Sequence, residues 1–244
     1  MSMHSPDAVS QLIQIAGQWM NERLSDGGPR YAEYHPDLIV VEPWNAVSSV
    51  AMMLPAVFWM FKLWPKIKAN RFLLFAVGMV FLGGLGSTLF HAFRMSSFFL
   101  MLDIVPSALL TIALSIYFWW KILGKWWQVV LLFVPLFMLR IFLFANLPQH
   151  LSINLSYAFS GGMILLPLFI FLYRNHFQHL TDVGLLLFFF SFALLFRQLD
   201  VHEIPFFEQG THFLWHLLSA FGSWYVLKYI SFVEGFQFQQ LNDK

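Results

Sequence analysis

His212 and His216 stand four residues apart in Thr211-His-Phe-Leu-Trp-His216, within an otherwise apolar stretch. On a helix that spacing puts both imidazoles on one face, where they can close on a single metal ion, as helical H-x-x-x-H zinc sites do. Ser87 and His91 repeat the same spacing in a second apolar stretch. With His91 as a third ligand the set becomes three imidazoles and an open position, the arrangement of a catalytic zinc rather than a closed structural one. Zinc lowers the pKa of its bound water to about 7, which supplies a hydroxide near neutral pH. Asp103, in a third apolar stretch, offers a carboxylate for general base and acid work beside such a metal. The chain has no Cys, so disulfides, thiolate sites and a Cys nucleophile are excluded. Any metal must rest on His, Asp, Glu, Asn or backbone oxygens.

The elements that position these residues follow from composition. Of 244 residues, 59% are hydrophobic and 11% charged, and Phe alone contributes 30. A soluble domain carries about 25% charged residues, and so much apolar surface calls for a bilayer as solvent. The expected fold is an all-α integral membrane protein, a seven-transmembrane helix bundle. Its spans run roughly over 43–62, 72–92, 99–120, 126–146, 151–173, 181–199 and 209–231. Ala8 to Leu24 repeats apolar residues at helical spacing and reads as a short amphipathic helix on the membrane surface, broken by Ser25-Asp26-Gly27-Gly28-Pro29. The organisation is then an interfacial segment over 1–41, a membrane domain over 42–232 and a short tail over 233–244. No cleavable signal peptide is expected, and the first span serves as the targeting signal. Gly78, Gly83, Gly84 and Gly86 let a neighbouring helix approach the second span.

Lys62, Lys66, Lys68, Arg71, Lys121, Lys125 and Arg174 fall in loops on one side, whereas the loop after span six carries Glu203 and Glu208. The positive-inside rule then places the N-terminus outside and the C-terminus in the cytoplasm. In that topology Glu42, Asn45, Ser87, His91, Asp103, Asp200, His212 and His216 share one depth near the outer side. Ionisable residues inside spans are costly and mark function. Each has a plainer alternative. Ser87 can be a small packing residue, Asp103 a helix cap, and Asp200 a structural ion-pair partner of Arg197. His150, His176 and His179 sit in loops and read as packers.

Glu42-Pro-Trp-Asn-Ala-Val-Ser48, Gly86-Ser-Thr-Leu-Phe-His91, Leu102-Asp-Ile-Val-Pro106 and His212-Phe-Leu-Trp-His-Leu-Leu218 together resemble the signatures of the alkaline ceramidase family. That family belongs to a wider group of seven-helix membrane hydrolases that includes the adiponectin-type receptors. The resemblance runs from span one to span seven. It implies that His91, His212 and His216 hold zinc, that Ser87 and Asp103 assist catalysis, and that Asn45, Trp215 and Asp200 lie behind them. It also implies a calcium ion on Glu42, with Glu33 as its partner and Asp26 and Asp37 as weaker candidates. The acidic, Asn-rich N-terminal run of eukaryotic members is not reproduced here, and the spacing from His91 to Asp103 is slightly longer. The activity implied is hydrolysis of the N-acyl amide of a ceramide-like membrane lipid to a sphingoid base and a fatty acid. The site would lie on the periplasmic or lumenal side, in a bacterial inner membrane by preference. An adiponectin-type receptor, an ester-cleaving lipid hydrolase and an ion transporter are the rival readings. No nucleic-acid partner is expected, since the net charge is +1 and there is no basic run.

Overall fold

A computed structural model describes residues 24–66, 70–146, 149–200 and 208–235. Seven α-helices occur among them: α1 (Pro43–Leu63), α2 (Arg71–Phe93), α3 (Ser97–Leu123), α4 (Trp126–Asn146), α5 (Gln149–Arg174), α6 (Leu180–Leu199) and α7 (His212–Val233), with a single 3₁₀ turn at Trp64–Lys66. Each of the seven apolar stretches is a helix. The third is longer at both ends than expected from sequence, and the last begins at His212 rather than three residues earlier. The amphipathic helix expected before residue 24, the loop around Glu203 and the tail beyond residue 235 lie outside the described residues.

Among the described residues, five helical segments are long and apolar enough to cross a membrane: α1, α2, α3, Trp126–Leu143 of α4, and α6. In α5 the segment Gly161–Arg174 forms a shorter apolar stretch. α7 is as long as the others, but His212, His216, Ser219, Lys228 and Ser231 interrupt its apolar run. These same residues, apart from the partly exposed Lys228, are buried in the bundle. Leu54, Phe61, Phe98, Leu131 and Phe142 stand exposed on outer helix faces. Apolar side chains outside and polar ones inside is the distribution that suits lipid as the surrounding medium.

The chain divides into two compact units, one of residues 1–107 and 181–244 and the other of Ala108–Leu180. In the first, α1 packs along α2 and α7, and α2 also meets α7. Small residues set the spacing. A Cβ on Gly84 would stand 3.0 Å from the backbone nitrogen of Met53 in α1. At Gly86 a Cβ would overlap the Leu102 carbonyl and come within 2.7 Å of the Asp103 nitrogen. Pro106 has no N–H to give that Leu102 carbonyl its i−4 partner. The freed carbonyl and the bare glycine together let α3 close on α2 at the turn that carries Asp103. α6 joins α7 through stacked Phe189 and Phe221, 5.2 Å between ring centroids, and through Lys228 Nζ donating to Asp182 Oδ1 at 2.7 Å. In the second unit α4 packs on α5, and Arg174 Nη1 donates to the Ile122 carbonyl at 2.6 Å.

Residues 24–42 form a folded strap belonging to the first unit. His35 N donates to Val41 O at 3.0 Å, closing a loop. Val41 N and Glu42 N then donate to Ala92 O (2.9 Å) and His91 O (3.1 Å). Those carbonyls belong to the last turn of α2, which has no helical partners for them. The strap therefore enters α1 with Glu42 pinned by backbone to His91. Within this part of the segment read as interfacial, Asp26, Gly28 and Glu33 are buried.

Candidate metal centre

His91 closes α2, while His212 and His216 open α7 one turn apart. The contact between these helices brings the three imidazoles together. Their ring centroids lie 4.7–5.1 Å apart, and one ligand atom from each falls within 4.8 Å of the others. All three residues are buried, at 2% exposure or less.

One buried nitrogen each on His91 and His212 has no hydrogen bond, while the other nitrogen of His91 and Nδ1 of His216 are held by side chains. His91 Nδ1 is hydrogen-bonded to the Glu42 carboxylate, while His91 Nε2 is buried with no hydrogen bond. His216 Nδ1 lies 2.9 Å from Ser48 Oγ and 3.1 Å from Ser49 Oγ. Ser48 Oγ donates to the Asn45 carbonyl at 3.1 Å, which leaves its lone pairs to accept the His216 Nδ1–H, and Ser49 Oγ is placed to donate to that carbonyl at 2.7 Å or to Ser87 Oγ at 3.1 Å. That assignment leaves Nε2 of both rings as a lone pair, with Ser87 Oγ 3.5 Å from that of His216. His212 Nδ1 is likewise buried without a partner. Carboxylates or hydroxyls holding the far nitrogen of each ring is what orients metal-binding histidines. Orphaned buried nitrogens are otherwise expensive. Three imidazoles suit a divalent ion such as zinc, copper, iron or nickel.

Ser87, one turn before His91, lies 3.1 Å from Ser49 Oγ and 3.5 Å from His216 Nε2, and its hydroxyl is bonded to the Asp103 carboxylate. Ser87 and Asp103 are thus a polar pair on the rim of the imidazole cluster. Asp103 is seven residues into α3, counting from Ser97, so the helix-cap alternative does not hold.

The remaining sequence candidates are placed as follows. Asn45 contributes its carbonyl to Ser48 and Ser49, and its amide lies 3.4 Å from Glu42 Oε2. Asp200 does not serve as an ion-pair anchor for Arg197. Its Oδ1 accepts from Thr211 N (2.7 Å) and His212 N (2.8 Å), and its Oδ2 from Ala32 N (3.3 Å). It therefore caps the positive N-terminus of α7 from a distance and ties it to the strap. Trp215 faces sideways, its ring under the Arg197 guanidinium at 5.1 Å. The two carboxylates read as a calcium pair are engaged elsewhere. Glu33 Oε1 is hydrogen-bonded to Trp44 N, and Oε2 accepts from Asn45 N at 2.8 Å, which caps α1. Glu42 is held by His91 and by Arg94 Nη1 at 2.6 Å. The partners of these oxygens are the first amides of α1, the His91 ring and a guanidinium. Burial pushes the Glu33 and Asp200 carboxyls upward in pKa, against the amide bonds that favour their ionised forms.

Several residues of the centre were missed from sequence. Tyr31 stacks on His212 with 4.0 Å between centroids, at 29°, and lies 5.2 Å from His91. It covers the cluster on the strap side, and burial raises its phenol pKa. Ser48 and Ser49 orient His216. Their signal was visible, since Asn45, Ser48 and Ser49 fall at helical spacing in an apolar run. Arg94 had no such signal and looked like an ordinary flanking charge, and Asp26 was read only as a weaker calcium candidate.

The fold and centre together define an all-helical protein with membrane-compatible helices and a buried three-histidine cluster suited to a metal ion. No family model matches the chain, and no curated protein matches it.

Proposed function

We propose that the protein is a zinc-dependent intramembrane lipid hydrolase that cleaves the N-acyl amide of ceramide-like lipids. The observation that carries this reading is the buried trio His91, His212 and His216, with unpartnered nitrogens on His91 and His212, beside the Ser87–Asp103 pair. His91 and His216 would bind through Nε2, with His212 as the third ligand. Bound there, zinc would supply an acidified water and a positive charge for a carbonyl oxygen. Asp103 accepts the water proton as oxygen adds to the acyl carbon. Ser87 holds Asp103 in position and can turn its hydroxyl toward the developing oxyanion. As the C–N bond breaks, Asp103 returns the proton to nitrogen, so the products are a free amine and a fatty acid. An amide needs that proton because an amine anion is a very poor leaving group.

The membrane reading belongs to the same proposal. All seven helices would span, with α5 and α7 completing the five apolar ones and the polar interior of α7 facing its neighbours. The strap, the start of α1, the end of α2 and the start of α7 share one end of the bundle. Lys62, Lys66 and Arg71 lie at or between the far ends of α1 and α2, and by the positive-inside rule the N-terminus and the site would then be on the outer side. A substrate with a long acyl chain would enter sideways from the lipid.

His216→Ala in detergent-purified protein is expected to lower bound zinc from about one per chain and to abolish release of fatty acid from ceramide. Retained zinc and retained turnover in a folded variant would remove the reading. A panel of amide and ester lipids separates an amidase from an esterase.

A further inference from the structure

Asp26, Pro29 and Glu42 turn oxygens of the strap toward a single point, and the side chain of Arg94 occupies it. Arg94 Nε donates to Asp26 Oδ2 at 2.6 Å and Nη2 to Asp26 Oδ1 at 3.1 Å. Nη2 also donates to Pro29 O at 3.0 Å, and Nη1 to Glu42 Oε1 at 2.6 Å. The guanidinium lies 4.4 Å from the ring centroid of Phe90. Arg94 and both carboxylates are buried, at 7% exposure or less. Arg94 is the cap residue of α2, in the left-handed conformation at φ 48°. That conformation costs a non-glycine residue about 1 kcal/mol, so the surrounding contacts must hold it there. The other oxygen of Glu42 holds His91 Nδ1. A continuous buried chain therefore runs from Asp26 through Arg94 and Glu42 to one imidazole of the cluster.

We propose that Arg94 is the built-in cation of the strap and a positioning residue for the metal centre. It locks Asp26 and Glu42 together, so that docking of residues 24–42 sets the aim of His91 and hence the metal affinity of the three histidines. The oxygens that could have formed a cage for a divalent ion instead receive the planar fork of a guanidinium. That fork can bond two carboxylates and a carbonyl at once. Calcium requires six to eight oxygens around an open point, and the point is filled. The strap and the centre therefore operate without calcium. This rests on the reading that the three histidines hold a metal.

The test uses the full chain in detergent, with zinc affinity measured by chelator competition and thermal stability followed in parallel. Arg94→Gln is expected to weaken zinc binding about 10- to 100-fold, the usual effect of losing an outer partner of a metal ligand. Arg94→Lys should recover part of the loss, because an ammonium neutralises charge but cannot bridge both carboxylates. For the unmodified chain, millimolar calcium or its chelation should shift neither zinc affinity nor melting temperature. Zinc binding unchanged in Arg94→Gln, or a clear calcium-dependent rise in either quantity for the unmodified chain, would overturn the proposal. An unmodified chain that takes up no zinc would overturn both this inference and the hydrolase reading. Zinc binding that is intact and indifferent to Arg94 would sink this one alone. The calcium arm needs no variant and holds even where Arg94→Gln fails to fold.

Discussion

At the scale of single residues, the centre is defined by which nitrogen of each histidine is already spoken for. His91 is turned by Glu42, and His216 by the hydroxyls of Ser48 and Ser49, both within reach of the Asn45 carbonyl. This hydroxyl pair has no charge to lose, so its removal isolates orientation from electrostatics. The double variant Ser48→Ala, Ser49→Ala should keep the fold yet weaken zinc binding about 10-fold, read by chelator competition. Asp103→Asn tests a different step. On the proposed mechanism it should leave zinc content unchanged and lower turnover by roughly 10²-fold or more, because the proton carrier alone would be removed.

At the scale of elements, the centre depends on how closely helices approach and how their ends are capped. The α2–α3 contact rests on Gly86 against the Leu102 carbonyl that Pro106 leaves free. Gly86→Ala should lower stability by about 1–3 kcal/mol, the range for overpacking. It should also lower turnover more than zinc content, because the displaced group is Asp103 rather than a histidine. A melting curve set beside a metal assay makes that distinction. Glu33 and Asp200 do parallel work at the N-termini of α1 and α7, each accepting two successive helix amides. Asp200→Ala should cost about 0.5–2 kcal/mol, as for a lost cap.

At the scale of the whole molecule, the apolar outer faces and the buried polar interior agree on a bilayer as the medium. The absence of cysteine makes the orientation directly testable. Single substitutions Ser25→Cys, in the strap, and Lys125→Cys, between α3 and α4, introduce unique thiols at exposed positions. In sealed vesicles an impermeant maleimide should label them from opposite faces, with Ser25→Cys reached from the side that holds the site. Labelling of both from the same face would overturn the N-outside arrangement.

The sequence by itself determined the helices and the chemistry carried on each. Long apolar runs have one stable backbone solution in lipid, and a histidine, serine or aspartate inside such a run is conspicuous because burying it is costly. Spacing along one helix is local geometry, so the faces shared by Ser87 with His91, and by His212 with His216, could be read directly. Only the tertiary structure decided what stood opposite those faces. Glu33 and Asp200 became helix caps, and Asp26 and Arg94 were drawn from apparent flanks into a buried network. These outcomes depend on how a strap folds back across helix ends far away in the chain, and no periodicity records such a contact.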